Sequence, residues 1–556
     1  MPAEPTAVDR QRGRGPMSRL SIDLRQVPWV RPLAGDYAFN FNHVAPLYAG
    51  DPASPDAWRD AIQRVQQHAS SRQDIAPIVE AQQTRRGAPP AALTATRTLS
   101  EPNAVAIVTG QQAGAFGGPL FTLLKAITAL QLARRTADTH NTPTVAVFWV
   151  DAEDHDWDEV ATCTVLDANF QARTITMPAL EGAGHLPIAD LVLDGRVEAT
   201  LNELASALAP TDFTEWALSG LRAAYRPGVK MADAFARWLD ALLGPYGLIV
   251  FDSADPAAKP LVADVFRREL SSPGRTSALA ATAGEALAAR GHAPQVVPQP
   301  ESAALFHLDG GRRPIRHHDD TFLVGDESFT GEALAKEVTE RPEHFSPSVL
   351  LRPIVQDTLF PTVAYVAGPS ELAYLGQLGG VYKHFGVPMP LMYPRATATL
   401  VDSATARFLS KHDLPLRLLQ AQDESALNRL LESQLPKSLE QAVKDAEQTL
   451  ERSMQRVIGE MPALDPTLVG AARTVLGKMQ HELRTLHSKM IHAAKKRDET
   501  LRRQFTRAQA QAFPLGQPQE RTLGAGFFLN RYGPALVDRL LEELPLELGH
   551  HWVLTI

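Results

Sequence analysis

Between Val105 and Val150 the chain runs strand, glycine-rich loop, helix, strand, and that order leaves few folds open. Val105-Ala-Ile-Val-Thr109 is a short, nearly continuous apolar run, as a strand buried on both faces requires. Gly110-Gln-Gln-Ala-Gly-Ala-Phe-Gly-Gly-Pro119 follows, and Leu120 to Arg135 has helical periodicity. Thr144 to Val150 is a second β-branched run that ends in acids. Such a βαβ unit, closed within about 45 residues, predicts an α/β fold with a doubly wound parallel sheet. Leu248–Asp252, Thr362–Ala367 and the vicinity of Leu391–Tyr393 are the candidates for its remaining strands. Leu191–Leu243 reads as largely helical and Val296–Phe329 as short strands with turns. Both look like insertions into the sheet domain, near residues 170–245 and 270–350.

Composition narrows the class. With 556 residues, 44% of them hydrophobic, the chain has the volume for several domains and is not a disordered polymer. No run of 18 apolar residues predicts a membrane span, and no charged-then-apolar leader is evident at the start. A net charge of −8 argues against nonspecific nucleic-acid binding. The single cysteine, Cys163, rules out an intramolecular disulfide and any Cys-rich zinc site. A soluble, cytoplasmic protein is expected. Residues 1–16, rich in Pro, Arg and Gly, read as a tail, with Met17 a second candidate start.

The stretch Leu439–Ala508 follows another rule. Leu439, Val443, Ala446 and Leu450 keep a 4–3–4 spacing; Ala472, Leu476, Met479, Leu483, Leu486, Met490 and Ala493 alternate 4 and 3. Pro462-Ala-Leu-Asp-Pro466 separates the two arms. This is the pattern of a coiled-coil hairpin and of a dimer contact, although two helices packed on the core would also satisfy it. The expected organisation is a core over 17–420, a hairpin over 421–512, and a segment 513–556 returning to the core.

Parallel sheets open ligand crevices beyond the carboxyl ends of their strands, where the Gly110–Pro119 loop falls. Gly110, Gly114, Gly117 and Gly118 would let backbone approach a ligand, and the helix that follows offers N–H groups to an anion. The loop has neither the Gly-x-Gly-x-x-Gly pattern nor Walker A. A tight turn made for packing is the competing reading; the paired amides Gln111 and Gln112 tilt against it. Asp151-Ala-Glu-Asp-His-Asp-Trp-Asp-Glu159 then puts six acids in nine residues at the end of a strand. Asp154, His155 and Asp156 are its catalytic candidates, as a base or as ligands for Mg²⁺, against the alternative of a solvated acidic loop. Glu371, Tyr374 and Gln377, spaced three apart behind Ser370 as a possible N-cap, would share one helix face. Arg395 could clamp a carboxylate or phosphate. Asn530 and Arg531 stand together in a late aromatic segment. His317-His318-Asp319-Asp320 is a poor metal site, because adjacent side chains on a strand point oppositely. Cys163 reads as a buried, inert thiol.

These motifs resemble one family. Val-Thr-Gly-Gln-Gln-Ala-Gly from Val108, Gly-Gly-Pro-Leu-Phe-Thr from Gly117, Phe-Trp-Val-Asp-Ala-Glu-Asp-His-Asp-Trp-Asp-Glu from Phe148 and Tyr-Val-Ala-Gly-Pro-Ser-Glu-Leu-Ala-Tyr from Tyr365 are similar to the bacillithiol biosynthesis cysteine-adding enzymes. The late heptads and Asn530-Arg-Tyr-Gly533 extend the resemblance over Met17–Ile556. It implies a Rossmann-type core with connecting-peptide insertions, a coiled-coil domain and a homodimer. It also implies a ligase joining L-cysteine to glucosaminyl malate. An amide bond needs an activated carboxyl, most simply through ATP with Mg²⁺. Residue chemistry then suggests roles. Gly110, Gly117, Gly118, Asn530 and Arg531 would contact the nucleotide. Gln111, Gln112, Gly114, Glu371, Tyr374, Gln377 and Arg395 would hold the substrates. Asp154, His155 and Asp156 would take the amine proton. Two other classes stay open: a nucleotide-dependent transferase acting on another amino sugar, and a scaffold whose coiled coil is its function.

Overall fold

A computed structural model describes residues 17–556 except 69–70, 319–320, 433–436 and 498, and except the side chains at 437, 492 and 494–497. Its centre is a five-stranded sheet built from β1 (Val105–Gln112), β2 (Thr144–Asp151), β3 (Leu248–Asp252), β4 (Thr362–Ala367) and β5 (Leu391–Pro394). The strands lie in the order β5-β4-β1-β2-β3, every neighbouring pair parallel. This is the Rossmann-like order, and it reverses between β1 and β4.

The apolar runs have a simple cause. Val105, Ile107, Phe148 and Val150 face one buried cluster, whereas Ala106, Val108, Val147 and Trp149 face the other. Period-2 alternation with core on both sides leaves little room for polar side chains in mid-strand, and the hydroxyl of Thr109 in β1 donates to the Val366 carbonyl at 2.9 Å. Helix α1 (Leu120–His140) covers the first of those faces. Residues 152–247, between β2 and β3, form the hairpin Thr162–Leu166 with Ala172–Thr176 and then three helices ending in α2 (Met231–Leu243). Between β3 and β4 lies a second insertion with a five-stranded antiparallel sheet over 302–347. Ser18–Asp23 pairs antiparallel with His550–Thr555.

The chain divides into two compact units, one running to Leu400 and resuming at Pro518–Ile556, the other Val401–Gln517. The second unit begins at Val401 rather than near residue 421, because helix Ser403–Lys411 packs on Glu499–Ala512. Within it α3 (Lys437–Glu460) and α4 (Leu468–Arg497) pack side by side. Ile458, Ala472 and Leu476 make a small core with Leu450 and Met454 against it. The heptad positions Leu439, Met479 and Leu486 stay exposed, so the seam is filled only in part. Among the described residues no helix is long and apolar enough to cross a membrane.

Candidate active site

The strand order reverses between β1 and β4, so the connections leaving their carboxyl ends turn to opposite faces of the sheet and leave a crevice. Its cavity is about 280 Å³ and is lined by Gly110, Gln111 and Gln112 from the end of β1. Asp151 and Glu159 come from the acidic stretch, Glu371 and Tyr374 from the segment after β4. Lys125, Arg352, Arg395 and Arg521 add four cations.

Lys125 is the centre of the arrangement. It projects from α1, is 2% exposed, and donates to the Gly110 carbonyl at 2.9 Å and to Gln111 Oε1 at 3.2 Å. Its Nζ lies 2.6 Å from Glu371 Oε2. Burial would raise the Glu371 carboxyl, but Lys125 outweighs it and holds the acid below its ordinary range. Gly110 has no freedom to be anything larger, since a Cβ there would stand 2.8 Å from the Trp149 carbonyl. Arg352 donates to Gln356 Oε1 at 3.0 Å and to the Tyr374 hydroxyl at 3.2 Å, with Asp151 4.0 Å from its Nε. Burial pushes the Asp151 carboxyl above the usual range. Trp149, also in the wall, has a buried indole N–H with no acceptor among the described residues.

Several sequence-derived candidates sit elsewhere. Gly114, Gly117 and Gly118 do not line the cavity. The Tyr225 hydroxyl accepts from the Gly117 amide at 3.0 Å and donates to the Gly114 carbonyl at 3.0 Å. A Cβ on Gly117, whose φ is +92°, would meet the Trp238 ring at 2.6 Å. The N-terminus of α1 is closed as well: the Leu120 amide donates to the Leu523 carbonyl, and the Gly118 carbonyl accepts from Ala525. The loop is a packed turn. Its glycines answer to the core.

In the acidic stretch the cavity takes Asp151 and Glu159, not Asp154, His155 and Asp156. Gln112 donates to Asp154 and Glu159, both at 2.8 Å, and so ties the stretch to β1. Burial opposes ionisation of Asp154, but the Gln112 amide and Arg312 hold its carboxyl below the usual range, a poor setting for a base. His155 Nδ1 lies 3.4 Å from both Asp154 and Arg312. Asp156 caps the short helix Trp157–Val160 through the Glu159 amide at 3.2 Å.

The helix expected after Ser370 breaks in two, Leu372–Leu375 and Gly379–Phe385, with Glu371 rather than Ser370 at the N-cap position. Glu371 and Tyr374 keep their common face, but Gln377 turns away. Its amide donates to the Ala280 and Val296 carbonyls and accepts from the Gln295 and Val296 amides, which makes it structural. Arg395 does clamp a carboxylate, and it is the chain's own: Glu520, held at 2.8 and 2.9 Å. Asn530 and Arg531 do not line the crevice. Asn530 donates to the Ala209 carbonyl at 2.9 Å, and Arg531 lies over the Phe170 ring.

Lys125, Arg352 and Arg521 were not among the candidates. Lys125 had a signal, a lone cation in the apolar helix Leu-Phe-Thr-Leu-Leu-Lys-Ala-Ile-Thr-Ala from Leu120. Arg352 had the same signal, a lone cation in the apolar run Val349-Leu-Leu-Arg-Pro-Ile-Val355. The thiol of Cys163 is buried and pushed up to about 12 by that burial.

The family model for the bacillithiol biosynthesis BshC N-terminal Rossmann-like domain matches residues 17–396, and that for the BshC C-terminal coiled-coil domain matches 398–556. The chain belongs to the BshC family. A relative in Salinibacter ruber, named putative cysteine ligase BshC, is 35% identical over 94% of this chain and 95% of its own. Relatives of the same name in Koribacter versatilis and Symbiobacterium thermophilum are each 33% identical over 94% of this chain, covering 97% and 96% of their own lengths. The switch-point crevice therefore lies wholly within the segments matched by the two BshC domains.

Proposed function

We propose that the protein is a cysteine ligase of bacillithiol synthesis, joining the carboxyl of L-cysteine to the amine of glucosaminyl malate. The observation that carries this reading is similarity over 94% of the chain to relatives named for cysteine ligation. The crevice supports it chemically. Its cations suit the carboxylates of a malate group, and its acids suit an amine. Arg352, Arg521 and the Trp149 indole N–H face the carboxylates in this reading, while Asp151 and Glu159 face the amine. Asp151 is the base, because its raised carboxyl accepts a proton more readily than an ordinary carboxylate. The amine lone pair forms the C–N bond to the activated cysteinyl carbon. The C–O bond to the leaving group breaks with its electron pair, and the proton on nitrogen passes to Asp151.

Activation of the carboxyl is assigned to ATP with Mg²⁺. The residues of this crevice do not fit a triphosphate: the α1 N-terminus is closed by Leu523 and Gly117 packs on Trp238. A cavity of about 280 Å³ suits one compact polar substrate. The proposal extends to a cytoplasmic homodimer joined through α3 and α4, supported by the exposed apolar side chains of Leu439, Val475, Met479 and Leu486.

Purified protein given L-cysteine, glucosaminyl malate and Mg-ATP should yield the coupled thiol by mass spectrometry. Asp151→Asn should slow turnover by about 100-fold or more. Absence of product from the wild type would overturn ligation, and full turnover in Asp151→Asn would remove Asp151 as the base.

A further inference from the structure

The antiparallel insertion between β3 and β4 carries a side-chain cluster that the ligation chemistry does not use. His307 ends strand Ser302–His307, Glu337 lies in the last turn of helix Gly331–Glu340, and His344 closes the turn Pro342–His344. His307 Nε2 is 3.1 Å and His344 Nδ1 2.9 Å from the same oxygen, Glu337 Oε1. One ligand atom from each residue lies within 4.8 Å of the other two. From these distances we infer that His307, Glu337 and His344 form a binding site for a divalent transition metal of the zinc class.

The donor set chooses the metal. Two imidazoles and one carboxylate match zinc, cobalt and nickel, whereas magnesium and calcium take oxygen shells. A tetrahedral ion with arms of about 2.1 Å sets its ligand atoms about 3.4 Å apart, so the two spacings from Glu337 Oε1 to the imidazoles need to open by only a few tenths of an ångström. Three protein ligands leave a fourth position for water, and the cluster has an open side: His344 is 23% exposed and Glu337 12%.

The scaffold holds both histidines on paired backbone. Phe345 pairs with His307 across the sheet, and the Leu308 amide donates to the His344 carbonyl at 2.8 Å. Two features bear on affinity. His307 Nδ1 is buried and has no hydrogen-bond partner among the described residues, which leaves that ring without the outer bond that steadies most metal-bound histidines. The site should bind about 10–100-fold more weakly than one with that bond. Arg341, 3.6 Å from Glu337, is more than half exposed and can swing into water.

Occupancy would fasten a support of the crevice. The Phe345 carbonyl, next to His344, accepts from Lys259 at 3.0 Å, and Lys259 also pairs with Glu153 in the acidic stretch. A metal locking His344 to His307 would stiffen that connection two residues from Asp151.

The test uses the untagged full chain, stripped with a chelator and then given zinc sulfate or cobalt chloride. The expected result is one zinc per chain retained through gel filtration, cobalt absorption of tetrahedral intensity, and a zinc-dependent rise in Tm. Both His344→Ala and Glu337→Gln should lose all three signals; the second keeps the side-chain shape should the first fail to fold. His43→Ala tests the other cluster of comparable spacing, Asp36–His43–His292. It should change nothing. Failure to retain zinc, octahedral cobalt only, or loss of the metal in His43→Ala with retention in His344→Ala would overturn the assignment.

Discussion

Lys125 shows how one side chain can serve both the fold and the crevice. Its ammonium, almost wholly buried, bonds the end of β1 and neutralises Glu371. Lys125→Met should therefore leave Glu371 without its partner and lower stability by about 3 kcal/mol. Lys125→Met with Glu371→Gln should recover much of that loss, as a double-mutant cycle in urea would read. His551 supports the crevice from behind. It is buried between the hydroxyls of Thr399 at 2.8 Å and Thr397 at 3.1 Å, near the Glu520 that clamps Arg395. Burial lowers its pKa from 6.5 to about 4. The unfolded chain then binds the extra proton first, so stability falls as the pH drops from 6.5 to 4, by about 3 kcal/mol. Above pH 6.5 this contribution is complete. Denaturation of His551→Gln across the same range should show a shallower slope, and an unchanged slope would remove His551 as its source.

Among the elements, the five core strands were legible because burial on both faces leaves a continuous apolar run that little else produces. The crevice was half legible. Gln111 and Gln112 end a strand at the switch point, and Glu371 and Tyr374 share a turn whether or not the helix continues. Gln377 misled because the helix breaks after Leu375, which spacing alone does not reveal. Gly114, Gly117 and Gly118 misled for another reason. A glycine that admits an aromatic ring reads the same in a sequence as one that admits a ligand. The difference lies in Tyr225 and Trp238, more than a hundred positions away. Tyr225→Phe should leave the buried Gly117 amide without a partner and lower stability by about 1–3 kcal/mol. Affinity for a carboxylate ligand of the crevice, measured by titration calorimetry, should stay at the wild-type value.

At the scale of the molecule the chain leaves its core once and comes back. Gln519 holds both backbone groups of Leu400, its amide at 2.7 Å from the Leu400 nitrogen and again from the carbonyl. The exit and the return are neighbours. Replacing Val401–Gln517 by a short Gly-Ser linker should therefore leave a folded core, with the far-ultraviolet spectrum of an α/β protein and one cooperative melt. A molten, aggregating product would show that the core needs the second unit. The pairing of Ser18–Asp23 with His550–Thr555 has a consequence in time. The Met17 amide reaches Glu543 across 526 positions of chain. A ribosome releases that first strand long before its partner exists. Throughout synthesis its edge hydrogen bonds stay exposed, and Arg395 waits for Glu520. Residues 518–556 complete the pairing of Ser18–Asp23 and the clamp on Arg395, so a chain stalled or truncated before them should be a substrate for chaperones and proteases.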